Sequence, residues 1–174
     1  MTRSSGELLL GEWACLGVLA VAPAHGFAIA KRLAPAGDIG RVWSLSRALT
    51  YRALDQLVAR CYVETVGEEP GTAGGTRTVF APTASGLAEL RRWFDAPSRH
   101  LRDLRSELLL KLVLADLNGV DTRELLIGQR ARIAMIASSL ADSTTDDVVA
   151  VWRCESANAA LRFVDALISR SGAR

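Results

Sequence analysis

Residues Trp43–Leu57 read WSLSRALTYRALDQL. Apolar positions recur at helical spacing, and Ser44 or Ser46 is placed to cap a helix running to about Arg60. On a wheel of 100° per residue, Leu49, Ala53, Ser46, Leu57, Thr50, Leu54 and Val58 share one side. Tyr51, Asp55, Ala48, Ala59, Arg52 and Gln56 share the other, with Arg47 at the boundary in the first turn. The second side carries arginine, tyrosine and amide with almost no acid. Arginine can donate two hydrogen bonds to guanine O6 and N7, and glutamine can pair with adenine N6 and N7. Tyrosine and serine hydroxyls reach phosphate oxygens, and alanine lets a backbone come close. A solvated helix face would also accept these residues, so the flanking sequence has to decide.

Upstream, Leu8–Val21 has the apolar density of a helix that stops near Pro23. Pro23-Ala24-His25-Gly26 reads as a short turn, and Phe27–Leu33 as a short second helix ended by the Pro35 and Gly37 region. Asp38–Trp43 is a loop or short edge strand. Downstream the period changes to two. Tyr62–Val66 alternates, GEEPGTAGGT follows, and Thr76–Phe80 alternates again, which makes a β-hairpin. Thr83 caps a fourth helix through about Phe94. Helix, helix, helix, hairpin, helix is the order of a winged helix-turn-helix. Pro97 and Ser98 form a boundary, beyond which the pattern is all helical. Leu101–Leu117 ends at Asn118-Gly119, and Asp121 or Thr122 opens a helix to about Leu140. Asp142-Ser143-Thr144-Thr145 is a loop and cap, and Asp146–Ile168 is the last helix. The expected fold is mainly α: a winged helix-turn-helix domain over residues 1–97 and an all-helical dimerisation domain over 98–174.

Length and composition suit one large folded domain or two small ones. The chain has 174 residues, 49% of them hydrophobic, and a net charge of only +2, so any basic surface must be local. Three isolated cysteines (Cys15, Cys61, Cys154) form no CxxC pair and suit a reducing, cytoplasmic compartment as small apolar residues. The start, Arg3 followed by LLLGEWACLGVLAVAPA, has the outline of a signal peptide. Glu12 interrupts it, and apolar periodicity continues through Phe27, Ile29 and Leu33. No stretch has the length of uncharged apolar sequence that a membrane span needs.

Four segments together resemble the PadR family of transcriptional regulators. HGFAIAKRL (25–33) is similar to the family's second helix, and SRALTYRALDQLVARCYVE (46–64) to its recognition helix and first wing strand. GTRTVFAPTASGLAEL (75–90) is similar to the second wing strand and following helix. HLRDLRSELLLKLVLA (100–115) resembles the opening of the helical domain of longer members. Phe27 stands where tyrosine is usual, Cys61 where glycine is usual, and Pro82 where leucine is common. Glu68 and Glu69 make the wing tip a poor phosphate grip, leaving Arg77 at its base. The resemblance implies a homodimeric regulator, a repressor, that binds a near-palindromic double-stranded DNA operator and answers to a small aromatic or hydrophobic effector. The DNA contacts expected are His25, Gly26, Lys31, Ser46, Arg47, Tyr51, Arg52, Gln56 and Arg77. Trp93 and Phe94 are expected to wall an effector pocket, since tryptophan offers a flat surface to aromatic ligands.

Other classes fare less well. Ser46, His25 and Asp55 make a catalytic triad on paper, but no nucleophile elbow surrounds them. Two histidines without ligand spacing exclude a metal centre of ordinary kind, and no glycine-rich loop matches a nucleotide motif, so no cofactor is expected. A cysteine-based redox-sensing regulator and a winged-helix module that binds protein rather than DNA are the alternatives.

Overall fold

The computed structural model describes residues 7–71, 75–141 and 147–171. Helix α1 (Leu10–Val21), strand β1 (Ala24–His25), α2 (Gly26–Leu33) and α3 (Arg47–Ala59) come first. They are followed by β2 (Val63–Pro70), β3 (Thr76–Pro82), α4 (Ala84–Asp95), α5 (Leu109–Leu117), α6 (Arg123–Ala141) and α7 (Val148–Ser171). The three strands form an antiparallel sheet in the order β1-β3-β2. This is a winged helix followed by helices. The expected loops at Asp142–Thr145 and in the middle of the wing lie, wholly or in part, outside the described residues.

The chain divides into two compact units, Met1–Trp93 with Leu110–Val120, and Phe94–Leu109 with Asp121–Arg174. All of α5 but Leu109 belongs to the first unit, with α1. Gly17 on α1 explains the fit, because a Cβ there would stand 2.7 Å from the Leu114 side chain. Asn118 closes the contact by donating its amide to the Gly17 carbonyl at 3.0 Å. The leucine-rich run is therefore covered largely by its own chain: Leu110, Leu114 and Ala115 are fully buried.

In the first unit, Trp13, Leu16, Leu19, Ile29, Leu33, Ile39, Leu54 and Leu57 form the core, with Val63 and Val79 from the wing. Helices α1 to α4 each begin on a local hydrogen bond. Glu12 accepts from the Leu9 N–H at 2.8 Å, His25 Nδ1 from Ala28 at 3.0 Å, Ser46 from Leu49 at 3.3 Å and Thr83 from Gly86 at 3.1 Å. Helix α3 ends in a Schellman turn: Cys61 N–H donates to the Val58 carbonyl and Tyr62 N–H to that of Leu57, both at 2.9 Å. The turn sets Cys61 at φ 57°, the sole non-glycine residue with positive φ among the described residues. Its carbonyl then accepts from Thr83 at 2.7 Å and Ser85 at 2.9 Å, which ties the end of α3 to the start of α4.

Three expectations change. Pro23–Gly26 is not only a turn: Ala24 pairs with Phe80 and His25 with Val79. The strands run longer than their alternating cores, β2 reaching Pro70 with a register shift between Thr65 and Gly67. On α3 the buried side is Thr50, Ala53, Leu54 and Leu57, while Leu49 and Val58 are exposed. Helix α3 packs on α1 and α2, and their contacts turn the buried axis toward Thr50. Thr50 is tolerated there because its hydroxyl donates to the Ser46 carbonyl at 3.1 Å.

The second unit opens with a 3₁₀ turn (Leu101–Asp103) and a π-helical turn (Leu104–Leu108). Helices α6 and α7 pack on each other around Leu125, Leu126, Ile133, Ala157 and Val164. Gln129 is buried and clamps Ser98, accepting from its N–H at 2.7 Å and donating to its carbonyl at 3.2 Å.

Candidate nucleic-acid interface

The start of α2, the first turns of α3 and the base of β3 enclose a cleft of about 500 Å³. It is lined by His25, Gly26, Phe27, Arg47, Tyr51, Thr76, Arg77, Thr78 and Phe80, with no carboxylate among them. Five expected contact residues meet here: His25, Gly26, Arg47, Tyr51 and Arg77. Two arginines flank one ring. The Arg47 guanidinium lies 5.4 Å from the Phe27 centroid and that of Arg77 lies 5.3 Å from it. Arg47 is also 5.8 Å from the Tyr51 ring. Phe27, noted in the sequence as an apolar residue standing where tyrosine is usual, is the platform on which both charges rest.

His25 supplies a donor whose direction is fixed. Its Nδ1 accepts the Ala28 N–H, so in the neutral ring the proton sits on Nε2. That nitrogen stands 3.4 Å from Arg77 Nη1. Two donors side by side are what a single anionic oxygen can bridge. Strand β1 makes this possible, since pairing His25 with Val79 sets it beside the neighbours of Arg77. A two-residue strand leaves no periodic trace in the sequence, so the juxtaposition was not legible there. Gly26 plays a spatial part: a Cβ would stand 2.7 Å from Tyr51 Cε1. Without it the Tyr51 ring lies against the start of α2. Thr76 and Thr78 add hydroxyls that the sequence did not single out; alternation along the wing strand was the available signal.

The remaining expected residues lie apart from the cleft. Arg52 and Gln56 project from the exposed side of α3, and Lys31 is exposed on α2. Ser46 spends an oxygen lone pair on the Leu49 N–H and keeps its own O–H to donate. Arg32, next to Lys31, is tied to Asp38 by an ion pair of 2.6 Å that holds the carboxyl below its ordinary pKa. A second depression, at Glu68, Glu69, Pro70, Gly71, Gly75 and Thr76, is acidic and unsuited to an anion.

Trp93 and Phe94 are both buried, and Trp93 stacks on Trp13 at 4.8 Å with the Lys111 Nζ 5.0 Å from its ring. Burial, then the Glu12 carboxylate, pushes the Cys15 thiol up to about 12, which leaves it inert at neutral pH. Cys61 is exposed. Ser46, His25 and Asp55 are not joined by hydrogen bonds into a triad; the His25 Nδ1 is occupied by backbone. Among the described residues there is no cluster able to hold a metal ion and no helix long and apolar enough to cross a membrane.

Comparison with protein families and with curated proteins finds no match for this chain. Among solved structures, the chain is similar to Bacillus subtilis PadR in complex with operator DNA, at 15% identity and a TM-score of 0.48, over 91% of this chain and 97% of that one. It is likewise similar to the same protein in complex with p-coumaric acid, at 16% identity and a TM-score of 0.45, over 93% and 98%.

Proposed function

We propose that this chain is a cytoplasmic, PadR-like transcriptional regulator that binds double-stranded DNA by sequence and represses transcription. The observation that carries this is the acid-free cleft in which Arg47, Arg77 and the His25 Nε2–H converge beside the exposed side of α3. Cleft groups grip a backbone phosphate and fix the position of α3; Arg52 and Gln56 then face base edges in the major groove. Phosphate contacts supply affinity and base contacts supply choice.

A homodimer suits this use, with two α3 helices in successive major grooves and half-sites about 34 Å apart on a near-palindromic operator. Exposed apolar residues of the second unit support a second copy as the cover: Val148 is 81% exposed, Met135 75% and Trp152 72%. A small aromatic or hydrophobic effector acts by binding one arrangement of the dimer better than another. An effector that uses Trp93 and Phe94 has to disturb the Trp13 stack, and tryptophan fluorescence reports it.

The test is a gel shift with duplex from the region beside the protein's own gene and a scrambled duplex of the same composition. Tighter binding to the first supports the proposal. Equal binding, or none at 50 mM salt where phosphate contacts are strong (roughly 10³-fold or more above 200 mM for many contacts), contradicts it.

A further inference from the structure

Asp55 is the acid in the middle of the exposed side of α3, and nothing in the fold accounts for it. The buried residues Thr50, Ala53, Leu54 and Leu57 define an inward direction. At helical spacing, the outward direction falls within about 30° of Ala48, Arg52, Asp55 and Ala59. Asp55 is exposed, too far along α3 to cap its start or to gain from the positive end of the helix. Aspartate is also a poor residue for a helix interior. Arg52 stands one turn away at i, i+3 spacing, yet among the described residues neither side chain has an ion pair or hydrogen-bond partner. A carboxylate facing a polyanion weakens binding to every duplex alike unless one base rewards it.

We propose that Asp55 is a base-reading residue: its carboxylate accepts a hydrogen bond from a cytosine N4 amino group in the major groove, next to the guanine that Arg52 reads. The chemistry matches, because cytosine alone presents an amino donor there without a neighbouring purine N7 acceptor. The reach matches too. Aspartate is short and reads a base only where the helix backbone comes close, and Ala48 and Ala59 on the same line put no bulk in the way. Arg52 and Asp55 thus form a donor and an acceptor on one line, held apart by exposure instead of being spent on each other. This rests on the DNA-binding function proposed above and names which base pair the helix selects.

The experiment is selection of bound duplexes from a random library by the full chain, followed by titration of single-base variants of the enriched site. The wild-type chain is expected to prefer one cytosine by about tenfold over the next base. Asp55→Asn should change that single position to adenine, since an amide pairs with adenine N6 and N7. Asp55→Ala should reduce the preference there to under about twofold, with the other positions unchanged and scrambled duplex bound no more weakly. The same enriched site for Asp55→Asn as for the wild type overturns the proposal. So does loss of preference at every position, which marks Asp55 as a structural residue. A wild-type chain that enriches no site overturns it together with the DNA-binding function, whereas an enriched site indifferent to Asp55 overturns this inference alone.

Discussion

Replacing Cys61 by glycine should stabilise the protein. Cys61 sits at φ 57° because the Schellman turn at the end of α3 demands a left-handed residue there. A side chain in that conformation costs roughly 1–2 kcal/mol. Glycine removes the cost but brings a freer unfolded chain, an offset of roughly 0.5–1 kcal/mol. Little else changes. Cys61 is exposed, so no core contact is lost, and the bonds that Thr83 and Ser85 make go to its backbone carbonyl. The net gain should be about 0.5–1 kcal/mol, a rise in melting temperature of roughly 1–4 °C for a chain of this size. Thermal denaturation followed by far-UV circular dichroism measures it. Cys61→Ala keeps the strain and should stay within about 0.5 kcal/mol of the wild type. Destabilisation by glycine, or an equal gain from alanine, would refute the strain reasoning, the second outcome pointing to the thiol itself.

Gly26→Ala should push the Tyr51 ring from its place, because the new Cβ meets Tyr51 Cε1 at 2.7 Å and the buried Leu54 Cδ1 at 3.3 Å; operator binding should weaken by about tenfold or more, with a smaller loss of melting temperature from the Leu54 contact. An unchanged affinity would show that Tyr51 contributes nothing from that position. Trp152→Glu should convert a dimer to monomer in sedimentation, since a tryptophan anchor is worth about 2 kcal/mol or more at an interface; a full-strength dimer would place the interface elsewhere. Cys15 should resist a thiol reagent at neutral pH while Cys61 reacts at once. The folded pKa of Cys15, about 12, stands above the 9.0 of an unperturbed thiol, so the stability Cys15 contributes is whole below 9.0 and falls as pH climbs toward 12. Urea melts across that window should show the decline, and Cys15→Ala should flatten it.

Elements that depend on local chemistry were legible in the sequence. Ser44 or Ser46, and Thr83, announced their helices because a short hydroxyl side chain before an apolar-periodic run has few other uses; Ser46 and Thr83 are the ones that cap. The misfit of Cys61 was legible only through the PadR resemblance, which has glycine at that position. Features made by pairing across the chain were not. Strand β1 is two residues long and exists because β3 lies beside it. The Leu49 error arose from a wheel drawn without neighbours: period fixes which residues share a side, but α1 and α2 decide which side is buried. Gln129 gave no sign that it would be buried around the Ser98 peptide, thirty-one residues away in sequence. At the candidate site the residue types, and the split between base-reading Arg52 and phosphate-facing Arg77, were readable; which residues gather in one cleft was not. His25, Arg47, Tyr51 and Arg77 share a cleft, while Arg52, Gln56 and Lys31 stand outside it.

That division is the centre of the account, and one measurement tests it most directly: binding of the wild type, Arg77→Ala and Arg52→Ala to an enriched duplex and to its scrambled counterpart across a salt series. Arg77→Ala should weaken both duplexes about equally and reduce the salt slope by roughly one unit, the mark of one lost phosphate contact. Arg52→Ala should cost about 1–3 kcal/mol on the enriched duplex and little on the scrambled one. Equal losses on both duplexes from Arg52→Ala, or no loss from either change, would contradict a cleft that holds phosphate beside a helix that reads bases.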